Sequence, residues 1–343
     1  MSNTAVVLKT PDMEDPAAGI EVKEIEKPSN LGPKEVLCQM RMRPINPADI
    51  FSLMGVYPGF DCSDCNKEGT DVVPGLEGVG VVEDVGESVS LSKGQRVVGI
   101  PFPSVEKGNG TWQKYIVAKE DDLFPVPDSI SDEHAAQFYI NPVTCVGMLD
   151  ELSIPQGEYL LQTAAGSVLG RMLIQICKYK GIKTINVVRR EEQAQEILDI
   201  GGDHVIVSQD GSSIQDKVME ITGGKGAYAA VECVGGTVFK GCASSLRASG
   251  TILTYGAMSS LEMTVAIPDV LFRGVTVRGF WLIPYFVHVP VEKKRAMCHE
   301  IATMMEQGII VPYAGKVFPL EDVAKAIAHA TAHARGGKVL LSS

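Results

Sequence analysis

EYLLQTAAGSVLGRMLIQICKYKGIKTINVVRREEQ, Glu158 to Gln193, holds a strand, a turn of small residues, a helix, a second strand and then Arg189-Arg190. A dinucleotide-binding βαβ unit has this order, because its turn brings backbone N–H groups against a pyrophosphate and the following helix N-terminus adds positive dipole. The second strand of such a unit normally ends on Asp or Glu, which binds a ribose 2′-hydroxyl. Here two guanidiniums stand in that place, and their forked geometry suits a 2′-phosphate, so NADPH is expected rather than NADH. Thr163-Ala164-Ala165-Gly166-Ser167-Val168-Leu169-Gly170 spaces its glycines as G-x-x-x-G. The reading therefore rests on the strand and helix around the turn, not on a literal G-x-G-x-x-G. Ala164, Ala165 and Ser167 are small enough for a close phosphate approach, and Gly170 is expected to let the helix pack closely on the sheet. Two alternatives stay open: an ordinary strand-to-helix turn, and solvated arginines neutralised by Glu191 and Glu192.

The 343 residues exceed what one core usually serves, so two domains are expected. With 45% hydrophobic and 21% charged residues the composition is that of an ordinary globular protein. No apolar run approaches the roughly 18–20 residues that span a bilayer. Ala5-Val6-Val7-Leu8 is too short for a signal h-region and reads as a first strand, and Asp12, Glu14 and Asp15 oppose a transit segment. A cytoplasmic protein is expected, although a processed protein of an organellar matrix would read the same. A net charge of −11 argues against nucleic acid as the main partner. Most of the eight cysteines stand in apolar segments, which points to buried thiols in a reducing compartment. Cys62 and Cys65 have metal-like spacing, but no second C-x-x-C or histidine pair follows, so no metal is expected there.

The first hundred or so residues carry short apolar runs at Glu35–Met42, Gly78–Val85 and Gln95–Gly99 between turn residues, the pattern of an antiparallel or barrel-like β domain. From Ser131-Asp132-Glu133-His134, a helix start, strands and helices alternate, with strands at Asp203–Val207, Ala227–Val234 and Gly250–Ala257. Such alternation needs crossover connections and gives a doubly wound parallel sheet. After Val275–Trp281 the pattern changes to a long helix, Val291–Gln307, and a tail that is expected to return to the N-terminal domain. The boundaries read this way are 1–127 with 275–343 for one domain and 128–274 for the nucleotide domain.

Beyond these patterns, several strings resemble the medium-chain dehydrogenase/reductase superfamily over nearly the whole chain. Pro74-Gly75-Leu76-Glu77-Gly78-Val79-Gly80 is similar to its G-H-E-G-x-G segment, with Leu76 in place of a zinc-ligand histidine, and Arg43-Pro44-Ile45-Asn46-Pro47-Ala48-Asp49 occupies the place of the early cysteine ligand. Leucine ligates no cation, so a zinc-polarised alkoxide mechanism is excluded. Ile45-Asn46-Pro47-Ala48-Asp49, Gly55-Val56-Tyr57-Pro58, Gly110-Thr111-Trp112, Ile140-Asn141-Pro142-Val143-Thr144, Ile185-Asn186-Val187-Val188-Arg189 and Gly279-Phe280-Trp281-Leu282 resemble the mitochondrial-type enoyl thioester reductases. Quinone reductases share part of this pattern. The resemblance implies an α/β protein with a GroES-like β-rich catalytic domain and a Rossmann domain.

It also implies site residues. Tyr57 would lie beside the nicotinamide as a proton donor or as a ligand of the donating water, the alternative being a turn aromatic ahead of Pro58; Asn46 would hold the loop or the tyrosine. Ala165, Gly166, Ser167, Val168 and Leu169 would hold the pyrophosphate, and Arg189 and Arg190 the 2′-phosphate. Thr144, Lys338, Gly256, Ala257, Phe280 and Leu282 would meet the nicotinamide half; Thr144 could instead cap a helix and Lys338 could be an edge-strand charge. Trp281 and Tyr285 would line the acyl slot or pack in the core. The implied activity is NADPH-dependent reduction of 2-enoyl thioesters on CoA or acyl carrier protein by a homodimer, without metal, nucleic acid or membrane. A quinone reductase and a non-enzymatic NADPH-binding relative are the alternatives.

Overall fold

The computed structural model describes residues 2–58, 60, 71–101, 108–332 and 336–343. Cys62 and Cys65 lie outside the described residues. The chain forms two compact units, one of Met1–Ile140, Cys298–Glu306 and Pro312–Ser343, the other of Asn141–Met297 and Gln307–Val311.

The second unit is built on a six-stranded parallel sheet in the spatial order His204–Val207, Lys183–Val188, Tyr159–Gln162, Ala227–Glu232, Leu246–Thr254, Thr276–Gly279. Tyr159–Gln162, the first strand of this sheet in chain order, is thus central, and the winding reverses between it and Ala227–Glu232. Leu161, Ile185, Ile206, Ala230 and Ile252 are buried in one core with Val218 and Phe239 from the crossover helices. Strands covered on both faces are apolar almost throughout, as the sequence shows for these. Thr276–Gly279 pairs in parallel with Thr251–Thr254, so the sheet extends past residue 274. The four-residue strand finds its ladder partners there, although the sequence reading assigned it to the other domain. Leu246–Thr254 also starts earlier than Gly250, since the preceding helix, Gly236–Ser244, is short.

The helix Ile140–Leu152 is buried on nearly all sides, so it carries no amphipathic signature. Thr144 lies inside this helix rather than capping it.

The first unit is centred on Glu35–Pro44, which pairs antiparallel with Val79–Val85, Tyr115–Lys119 and Lys338–Ser342. Arg96–Gly99 and Leu123–Pro125 continue the sheet on one side, and Ala314–Pro319 on the other. The C-terminal strand is therefore an interior one. Lys338 is 2% exposed, which rules out a solvated edge-strand charge. Ala5–Leu8, Ile45, Leu53, Trp112, Ile327 and Leu341 form the adjoining core. The six described free cysteines are all buried, and burial pushes the Cys38 thiol up to about 12. No helix among the described residues is long and apolar enough to cross a membrane.

Candidate functional site

The turn after Tyr159–Gln162 closes on itself before the helix Val168–Lys180 begins. Ala164 adopts a left-handed φ of 49°, an uncommon conformation for a residue with a Cβ, and the Ser167 N–H donates to its carbonyl at 2.8 Å. Ser167 then caps the helix, its hydroxyl accepting the Gly170 N–H at 3.0 Å. The N–H groups of Gly166, Val168 and Leu169 have no acceptor among the described residues. Three donors at a helix N-terminus form an anion cradle. A Cβ on Gly170 would stand 2.7 Å from the Ala165 oxygen, and the Gly170 carbonyl accepts from the strand residue Gln162 at 3.2 Å, so this glycine lets the helix start close against the turn and the strand end. A Cβ on Gly166 would stand 2.3 Å from Gln193 Nε2. Arg171 donates to the Gly166 carbonyl at 3.3 Å and pairs with Glu196, so the helix Glu192–Asp199 braces the turn from outside.

Arg189 and Arg190 follow the second strand and are exposed, and neither guanidinium pairs with Glu191, Glu192 or any other described residue. Solvated arginines needing no neutralisation remain available to a phosphate. Together with the cradle they fit a phosphorylated dinucleotide; no acid stands at the strand end for a 2′-hydroxyl.

Where the winding reverses, the structure adds a residue that the sequence reading missed. Glu232 ends its strand fully buried, accepts the Val234 N–H at 2.6 Å and the Gly235 N–H at 3.1 Å, and takes the Thr163 hydroxyl at 3.2 Å. Burial raises its carboxyl above the ordinary range. One carboxylate thus ties together two strand ends at the position where open α/β sheets bind ligands. An acid closing an apolar strand, followed by Val234-Gly235-Gly236, was the available signal. Gly256 packs nearby, where a Cβ would lie 3.1 Å from Cys233 Cβ, and Ala257 follows half-buried.

Thr144 and Gly147, three residues apart on one helix, share a face. A Cβ at Gly147 would stand 2.8 Å from Phe280 Cζ and from Tyr285 Cε1, and the two rings lie 5.0 Å apart. Glycine inside a helix costs about 1 kcal/mol against alanine, and close approach of this aromatic pair is what requires it. Leu282 opens the helix Leu282–His288 half-buried, preceded by Trp281, whose 43% exposure excludes core packing.

The first unit holds a buried polar cluster. Asn46 precedes the helix Pro47–Leu53 and donates from its side chain to Glu77 Oε1 at 2.9 Å, while Lys338 Nζ donates to Asn46 Oδ1 at 2.6 Å. Asp49 accepts the Asn46 N–H at 2.7 Å and the Leu76 N–H at 3.1 Å. Glu77 Oε2 accepts the N–H groups of Tyr139 and Ile140. Burial, with Glu77 adding, pushes the Asp49 carboxyl up to about 7 against the opposing pull of Lys338; burial raises Glu77 as well. The ammonium expected at the nicotinamide thus donates to Asn46 within this cluster. Tyr57 is half-buried just beyond the helix, its N–H donating to Phe51 O at 3.2 Å. Gly55 makes the bend before it with φ of 72°, and a Cβ there would meet Pro11 at 2.9 Å. The buried Tyr139 phenol is raised by burial, with Cys298, Glu77 and Tyr57 adding, so the two phenols are electrostatic neighbours.

Two family models match the chain, the alcohol dehydrogenase GroES-like domain over residues 32–128 and the zinc-binding dehydrogenase over 168–293. The mitochondrial enoyl-[acyl-carrier-protein] reductase of Caenorhabditis elegans is 35% identical, the match covering 91% of this chain and 88% of that protein. The human protein of the same name is 30% identical over 91% of this chain and 82% of its own length. Among solved structures, a Bacillus thuringiensis protein assigned as an NADPH:quinone reductase superposes with a TM-score of 0.88 at 29% identity, covering 100% of this chain and 99% of its own. The Etr1p/NADP/crotonyl-CoA complex superposes with a TM-score of 0.86 at 25% identity, covering 100% of both chains.

Proposed function

Because the chain belongs to the medium-chain dehydrogenase/reductase superfamily, in its zinc-free enoyl thioester reductase branch, we propose that it reduces the C2=C3 bond of 2-enoyl thioesters with NADPH. The observation that carries the reading is the cradle of three unpaired N–H groups at residues 166–169, in a unit that also ends a strand on unpaired Arg189-Arg190. Bound there, NADPH supplies hydride to the β-carbon of the conjugated thioester. Negative charge then moves to the thioester carbonyl oxygen, and the α-carbon takes a proton. Tyr57 donates to the developing enolate or orders the donating water, and Asn46, fixed between Glu77 and Lys338, holds the start of the helix ahead of it. Lys338, which also donates to Asn46, serves the nicotinamide half in this scheme with Thr144, Gly256, Ala257, Phe280 and Leu282. Leu76 offers no side-chain metal ligand, which supports chemistry without a Lewis acid.

The acyl group is carried by CoA or by acyl carrier protein. The likeness to the Bacillus thuringiensis protein favours, as second reading, a quinone or α,β-unsaturated carbonyl reductase using the same hydride step. Steady-state rates decide: crotonyl-CoA is expected to give the higher kcat/KM, and a small quinone the lower. Retained NADPH binding without turnover of any conjugated acceptor would overturn both readings. The relatives' mitochondrial names support an organellar matrix over the cytoplasm.

A homodimer is part of the proposal. Thr276–Gly279 is the outermost strand of its sheet, and Leu261, Ile267 and Phe272 in the preceding segment are 94%, 74% and 79% exposed. Pairing this edge with a second copy would cover apolar surface that is otherwise an aggregation liability. Sedimentation at micromolar concentration tests it, a monomer counting against it.

A further inference from the structure

Gly166 has an ordinary backbone, its φ lying outside the left-handed region, so the chain path does not require a glycine there. Space does. The three atoms nearest to a Cβ built on residue 166 are Nε2, Cδ and Oε1 of Gln193, at 2.3, 3.2 and 3.9 Å. The carboxamide of Gln193 thus fills the place of a side chain on the phosphate turn. It is held there by the helix Glu192–Asp199, in whose first turn it stands, three positions after Arg190. One turn on, Glu196 pairs with Arg171, which donates to the Gly166 carbonyl, and Ile197 is buried with Ala165, Ile174 and Val188. Neither end of the carboxamide has a hydrogen-bond partner among the described residues, and neither is sealed from solvent, the side chain being half-buried. Room is kept on the turn for a polar group that no internal hydrogen bond uses.

We propose that Gln193 is a coenzyme-binding residue whose Nε2 donates a hydrogen bond to a phosphate oxygen of NADPH, and that residue 166 is glycine to leave this amide room. The assignment rests on the NADPH reading of the turn. Two phosphates offer that chemistry, the pyrophosphate at the free N–H groups of residues 166–169 and the 2′-phosphate at Arg189 and Arg190. An amide donates to either without adding charge.

The test is Gln193→Ala, with NADPH affinity read from the fluorescence of the bound coenzyme in the absence of turnover. Loss of a hydrogen bond to a charged oxygen predicts binding weaker by about tenfold. Displacement by two fragments locates the contact, since ADP-ribose carries the pyrophosphate without the 2′-phosphate and 2′-AMP carries the 2′-phosphate without the pyrophosphate. Weaker ADP-ribose assigns the pyrophosphate, weaker 2′-AMP the 2′-phosphate, and a loss on both an amide shared between them. The melting temperature of the ligand-free variant should not fall, because the carboxamide has no internal partner to lose. Gly166→Ala should weaken NADPH binding by displacing the amide, and should add nothing in the Gln193→Ala background; an equal cost in both backgrounds overturns the role given to Gly166. A Gln193→Ala affinity within about twofold of wild type, a loss that spares both fragments, or a melting temperature several degrees lower overturns the contact and leaves the NADPH reading standing. A wild-type protein that binds no NADPH overturns both.

Discussion

Replacing Asp49 with asparagine should remove a pH dependence of stability that the buried cluster imposes. The carboxyl is fully buried and pushed up to about 7 from an ordinary 3.8. At about 1.36 kcal/mol per unit, that difference sets a ceiling of about 4 kcal/mol. The sign follows from proton uptake. Between those two values the folded protein keeps the Asp49 proton and the unfolded chain has lost it. The contribution is therefore fully present below 3.8 and is lost as the pH rises through about 7. The substituted amide oxygen would still accept one of the two backbone N–H groups that the carboxylate takes from Asn46 and Leu76, so the fold should survive. Fluorescence isolates the relevant unit, since Trp112 is buried in the first unit and Trp281 belongs to the second. In a Trp281→Phe background, urea unfolding followed through Trp112 at pH 4.5 to 7.5 should show wild-type stability falling relative to Asp49→Asn by up to the stated ceiling. Parallel profiles for the two proteins would refute the reasoning, because they would mean that Asp49 titrates alike folded and unfolded.

Arg189→Ala with Arg190→Ala should lower kcat/KM for NADPH by about 10²-fold while leaving NADH little changed, as expected for losing charge-assisted hydrogen bonds to a phosphate; equal losses with both cofactors would remove the 2′-phosphate assignment. Tyr57→Phe should keep NADPH binding and cut kcat for enoyl thioester reduction by about 10²-fold with little change in KM, the pattern of a donor acting in the transition state. Near-normal kcat would make Tyr57 structural. Prolonged chelation should leave activity unchanged and metal analysis should find no stoichiometric zinc, whereas a metal required at Cys62 and Cys65 would contradict the reading from Leu76.

Local order along the chain was legible wherever a signal is local. The run Glu158–Gln193 specified strand, turn, helix and strand because its apolar runs and the small residues of its turn act within a few residues of each other. Leu76 excluded a metal ligand by its chemistry alone. What the sequence could not display is pairing across distance. Lys338 reads as one charge in a C-terminal strand, and only the antiparallel register of Leu340 with Pro44 brings its ammonium to Asn46, 292 positions away. Glu232 likewise reads as a polar end to an apolar run, until the reversal of strand order sets it against Thr163. The helix Ile140–Leu152 hid itself because it is buried nearly all round and periodicity vanishes when no face is wet. Residue chemistry and short-range turns belong to the sequence by itself; the depth of a charge, and therefore its pKa and its partners, belongs to the tertiary structure, because desolvation and Coulomb attraction depend on what long-range packing brings within a few ångströms.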